Sequence, residues 1–150
     1  MNQMKFDKVA NSDILIGYSN IEGLKKIPFK EWFENEYTNY QPDIEVLNRI
    51  DKESFTKNTN ITLVMGTWCS DSQQQVPRLV KILESIDYPI NSIKIINVDT
   101  QKNANGTGVN QLDIIKIPTI ILSRKKLEIG RIIESPEISL EKDLLKILSN

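Results

Sequence analysis

The clearest apolar patterns in the chain begin after residue 58. Ile61 to Met65 is a short β-rich run, bounded by Asn58-Thr59-Asn60 before it and Gly66 after it, which predicts a strand buried on both faces. From Ser72 onward Val76, Leu79, Val80, Leu83 and Ile86 recur at intervals of three and four, the stripe of a core-facing helix that closes near Asp87, ahead of Pro89. Pro77 lies inside this pattern, where a missing donor and a crowded preceding turn predict a kink. Ile93 to Val98 reads as a second buried strand, and the polar, glycine-rich stretch Lys102 to Gly108 as a mobile loop. Val109 to Ile115 suggests a short helix. Thr119 to Leu122 and Glu128 to Ile133 are two strands joined through Arg124-Lys125-Lys126 as a hairpin. Ser135-Pro136-Glu137 then opens an amphipathic helix marked by Ile138, Leu140, Leu144, Leu145, Ile147 and Leu148, with serine as cap and proline in the first position.

Strand, helix, strand, a connection with a short helix, a hairpin and a closing helix describe an α/β domain: a central mixed β-sheet flanked by helices. Ahead of it, Phe29, Trp32, Phe33, Tyr37 and Tyr40 form an aromatic-rich helical stretch that breaks at Gln41-Pro42, and Ile44, Leu47 and Ile50 suggest a second helix. The chain reads as one domain, residues 1–150, with residues 1–58 a helical N-terminal extension packed on a core of residues 59–150.

Composition narrows the field of functions. The chain has 150 residues, long enough to bury a core without staples. Its 19 basic and 20 acidic residues nearly cancel, so no strong field draws it to nucleic acid or anionic lipid. One cysteine and no histidine exclude an internal disulfide and discount a zinc site; no metal is expected. No apolar run reaches the length of a membrane span, and Met1 to Ala10 lacks the apolar stretch of a signal peptide. Taken as it stands the sequence suggests a cytoplasmic protein, or a periplasmic one had a signal peptide been removed.

The candidate chemistry sits at the junction between the first core strand and the helix that follows, in Trp68-Cys69-Ser70-Asp71-Ser72. A cysteine at a helix N-terminus meets unpaired backbone N–H groups and the positive end of the helix dipole, which favour the thiolate that attacks disulfides. The other reading of Cys69 is a small buried hydrophobe. Ser72, one turn on, either donates a hydrogen bond to the Cys69 thiolate or is an ordinary first-turn serine. Asp71 either places an opposing negative charge beside the sulfur or caps the helix.

Trp68-Cys69, Pro77 eight positions after the cysteine, and Ile117-Pro118-Thr119 ahead of a strand resemble the thioredoxin superfamily, over Asn60 to about Asn150. Gly66 to Ser72, with Gly130 to Pro136, looks like an uncharacterised group of bacterial thioredoxin-like proteins within it. The resemblance implies a thioredoxin-like fold in which Pro118 is a cis-proline touching the active-site sulfur. It also marks departures. Ser72 stands where the second active-site cysteine is usual, and Leu63 where thioredoxins bury an aspartate. The internal dithiol cycle is therefore closed to this chain, and Cys69 is limited to mixed disulfides.

On that resemblance the expected function is a monothiol thiol-disulfide oxidoreductase, with Cys69 and Ser72 catalytic and Trp68, Asp71, Ile117 and Pro118 contacting substrate. Its partners would be protein or small-molecule disulfides and thiols. No resident cofactor is implied, with glutathione or another external thiol as co-substrate. The alternative is a redox-inactive binding module that holds an extended peptide or protein partner in the groove beside Pro118. An iron–sulfur cluster shared between subunits, as in monothiol glutaredoxins, ranks last.

Overall fold

The computed structural model describes every residue from Met1 to Asn150. Its centre is β3 (Asn60–Met65), which runs parallel to β4 (Lys94–Asn97) and antiparallel to β5 (Thr119–Arg124). Between β3 and β4 runs α5 (Ser70–Ser85), continuous through Pro77. β5 turns at Lys125 and Lys126, both left-handed, into antiparallel β6 (Leu127–Ile133), as the hairpin expectation required. The closing helix is α6 (Leu140–Leu148). It starts later than Ser135-Pro136 suggested: Ser135 N–H still donates to Ile133 in the turn leaving β6, and Ser139 Oγ caps the helix by accepting from Lys142 N–H. Asp143 reaches back to accept from the N–H groups of Glu137 and Ile138, fixing the run-in.

The N-terminal segment is not the wholly helical extension read from the sequence. It opens with a hairpin, β1 (Gln3–Asp7) and β2 (Ser12–Ser19), and β2 pairs antiparallel with β4 through Gly17–Asn97 and Ser19–Ile95. The result is one six-stranded sheet, ordered β1-β2-β4-β3-β5-β6. Four helices follow: α1 (Ile21–Leu24), α2 (Lys30–Asn39), α3 (Ile44–Leu47) and α4 (Lys52–Asn58). The aromatic stretch is α2, with Phe33 buried and stacked 6.2 Å from Tyr37. Val109 to Ile115 shrinks to a single 3₁₀ turn, Val109–Gln111. The loop before it is pinned: Asp99 Oδ1 accepts from the N–H groups of Gln101 and Asn103, and Thr107 Oγ1 donates to Ala104 O.

The alternation of β3 divides the interior. Ile61, Leu63 and Met65 face the larger core, which gathers Phe33, Leu47 and Phe55 from the N-terminal helices, Val76, Leu79 and Leu83 from α5, and Leu140 and Leu144 from α6. Val64 faces a smaller core on the opposite side with Ile96, Val98, Ala104, Val109 and Ile117. Trp68 and Cys69 pack on the rim of that smaller core, where β3 ends.

Candidate functional site

Four residues carry the chain from β3 to α5, and each bond among them is local. Cys69 N–H donates to Gly66 O at 3.0 Å, closing a turn, and Gln73 N–H donates to Cys69 O at 3.0 Å, the first bond of α5. Cys69 is therefore the N-cap, in extended conformation, and makes no side-chain capping bond. The N–H groups of the first helical turn consequently point toward the sulfur's end of the helix without a cap. The sulfur is half-buried, and Sγ lies 3.7 Å from the carbonyl oxygen of Ile117, to which it donates. The Ile117–Pro118 bond is cis. The structure thus sets the Cys69 sulfur against the Ile117 carbonyl that leads into the cis bond to Pro118.

Trp68 lies beside them, but its indole is turned inward. Nε1–H donates to Val98 O at 2.9 Å, and the ring occupies the space that Gly66, lacking a Cβ, leaves open. Asp71 stands half-buried in the first turn; the cap position belongs to Cys69, so Asp71 is not the cap.

Ser72 departs from its expected place. It is fully buried, and its Oγ accepts from Gly66 N–H at 3.2 Å; no hydrogen bond joins it to Cys69. The reason is helical geometry. Ser72 lies four residues before Val76, on the same stripe that buries Val76, Leu79 and Leu83, so its side chain points into the molecule. Ser72 Oγ holds the turn in shape through Gly66 N–H and is not bonded to the sulfur. Leu63 is enclosed in the larger core, so the interior near the turn offers no carboxylate there to exchange a proton.

Sequence reasoning missed the supports. Thr67 Oγ1 accepts from the N–H of Leu15 in β2 at 3.3 Å, and Thr67 O accepts from Gln73 Nε2 at 2.8 Å, so the N-terminal hairpin braces the cysteine turn. On the other side, Arg131 Nη1 donates to the carbonyls of Leu112 and Asp113, fixing the segment that leads to Ile117. Glu128 in turn holds Arg131 with two bonds, at 2.6 and 2.7 Å, and the hydrogen bond from Arg131 holds the Glu128 carboxyl below its usual range. Pro118 O accepts from Glu134 N–H at 2.7 Å. No local spacing announces the bonds from Leu15 to Thr67, from Arg131 to Leu112 and Asp113, or from Glu134 to Pro118. No cluster of three or more Cys, Asp or Glu side chains is placed to ligate a metal ion, and no helix is long and apolar enough to cross a membrane.

No family model and no curated protein matches the sequence. Solved structures do resemble it. A protein of unknown function from Pseudomonas aeruginosa is 16% identical with a TM-score of 0.51, covering 80% of this chain and 81% of that one. An HIV epitope scaffold is 15% identical with a TM-score of 0.52 over the same shares, 80% and 81%. Oxidised mitochondrial thioredoxin 3 from Saccharomyces cerevisiae is 17% identical with a TM-score of 0.42, covering 65% of this chain and 84% of that one. At such identities the first two, with TM-scores above 0.5, share the fold alone. With a parallel β3–β4 pair bridged by α5, an antiparallel β5–β6 hairpin and a closing helix in one mixed sheet, that fold is thioredoxin-like.

Proposed function

We propose that the chain is a monothiol thiol-disulfide oxidoreductase working through Cys69. The observation that supports this reading is the position of the sulfur: half-exposed at an uncapped helix N-terminus and 3.7 Å from the Ile117 carbonyl beside Pro118. Helix N–H groups favour the thiolate there. That thiolate attacks one sulfur of a glutathionylated cysteine; a Cys69–glutathione disulfide forms, and the substrate cysteine leaves as thiolate. A second glutathione then attacks the Cys69–glutathione disulfide, regenerating the Cys69 thiolate and releasing oxidised glutathione. With one cysteine in the chain, the resolving thiol is supplied from outside.

The test is reduction of a glutathionylated peptide by glutathione, coupled to glutathione reductase, with wild type and Cys69→Ser. Wild type is expected to accelerate the reaction over the uncatalysed rate and Cys69→Ser to return it to that rate. Equal rates for the two proteins would overturn the reading.

A further inference from the structure

Between β2 and the start of α2 lies an open cavity of about 580 Å³, a size common among small-molecule sites. Three aromatic rings line it: Phe29, almost fully buried, and Trp32 and Trp68, both half-buried. Phe29 and Trp32 stand with centroids 6.4 Å apart and planes inclined by 60°, so they do not lie flat on one another. The one donor of the Trp68 indole is spent on Val98 O at 2.9 Å, which fixes the ring and leaves the cavity only its carbon surface. Asp13, the second residue of β2, is the one ionisable side chain in the lining. It is exposed and takes part in none of the chain's ion pairs.

This lining selects its occupant by charge. With no lysine or arginine, the cavity offers no counter-charge to a phosphate or carboxylate. One carboxylate is too few ligands for a metal ion, and no acidic cluster supplies the rest. Aromatic faces are electron-rich, so the three rings and Asp13 attract the same kind of group, a cation. A primary ammonium is compact and strongly hydrated, and leaves water at a cost. A trimethylammonium group spreads its charge over methyl groups that bury favourably against the rings.

The geometry points to a binding site for a small trimethylammonium compound, its head group held among Phe29, Trp32 and Trp68 and its charge balanced by Asp13. The site goes beyond the reading of Cys69 and does not depend on it: none of Cys69, Ile117 and Pro118 lines the cavity.

Choline, titrated at constant ionic strength, is the probe. Trp32 and Trp68 are the chain's two tryptophans and both line the cavity, so intrinsic fluorescence reads occupancy directly. Wild type is expected to show a saturable change with choline. Dimethylbutanol, the uncharged carbon isostere, keeps the shape without the charge and is expected to bind at least about fivefold more weakly. Phosphocholine, whose phosphate meets no counter-charge, is also expected to bind more weakly than choline. Trp32→Ala is expected to weaken choline by roughly five- to thirtyfold and Asp13→Asn by about two- to fivefold, with Trp32→Phe close to wild type. No saturable change on wild type overturns the inference, whether or not the variants fold. So does equal or tighter binding of dimethylbutanol or phosphocholine. Unaltered choline affinity in Trp32→Ala with a wild-type circular dichroism spectrum would place the binding elsewhere and overturn it too.

Discussion

A Cβ added to Gly66 would lie 2.6 Å from Trp68 Nε1 and 2.9 Å from Ile117 Cδ1. The indole cannot swing aside without giving up its bond to Val98, and Ile117 is the residue whose carbonyl faces the sulfur. Gly66→Ala is therefore expected to cost about 1–3 kcal/mol, the usual range for overpacking. Since about 1 kcal/mol shifts the midpoint of a 150-residue domain by roughly 2–4 °C, thermal unfolding followed by circular dichroism reads it directly. An unchanged midpoint would mean that the turn has more slack than these distances allow. Ser72 teaches the complementary lesson about legibility. Its place opposite a missing cysteine invited a chemical role, yet the stripe of Val76, Leu79 and Leu83 already assigned it an inward direction. Cys69, Ile117 and Pro118 were legible because the strand-to-helix junction and the proline before β5 each leave a local mark. Thr67 and Arg131 were not, because their partners, Leu15 for one and Leu112 and Asp113 for the other, are set only once the sheet is assembled.

Among the elements, α6 is tied to the N-terminal helices by a buried carboxylate. Glu141 is almost fully enclosed; both its oxygens accept from Tyr40 Oη at 2.8 Å, and one also accepts from Asp43 N–H at 2.9 Å. The Arg78 guanidinium lies over the Tyr40 ring, 5.0 Å from its centroid. Burial first, then the bond to Glu141 and its charge, raise the Tyr40 phenol above its ordinary value of 10.0, while Arg78 opposes them. The unfolded chain thus loses this proton before the folded one does. The associated stability is complete below about pH 10 and is lost as the pH climbs from there toward the folded phenol's own value. Tyr40→Phe is expected to flatten the alkaline fall of the urea midpoint above about pH 10. Tyr37 and Tyr88, also raised, keep part of the slope. An unaltered alkaline profile in Tyr40→Phe would contradict the assignment. The same scale shows why some elements escaped the sequence. β1 leaves Met4 and Phe6 exposed at the sheet edge, and α4 buries only Phe55, so neither carries a periodic apolar signal. α5 and β3, buried through much of their length, were plain.

Across the whole molecule the larger core does not respect the line between extension and thioredoxin-like core. Phe33, Leu47 and Phe55 from the first 58 residues pack with Leu63, Leu79 and Leu144 from the rest. Phe33→Ala is expected to cost about 3–5 kcal/mol, out of a total of roughly 5–15 kcal/mol for a domain of this kind. Its urea transition should move to lower concentration yet stay single, with far-ultraviolet circular dichroism and tryptophan fluorescence coincident. Trp32 and Trp68, the chain's two tryptophans, report from either part. Two separated transitions would show that residues 1–58 unfold on their own.

The pairing of β2 with β4 reaches further than stability. Gly17 O and Asn97 Nδ2 are joined across 80 residues, so the first hairpin leaves the ribosome long before the strand that completes its inner flank exists. At about 5–20 residues per second, that interval is roughly 4–16 s, during which Gly17 to Ser19 lack the strand they pair with. The nascent chain, rather than the finished protein, is where a chaperone would find its foothold.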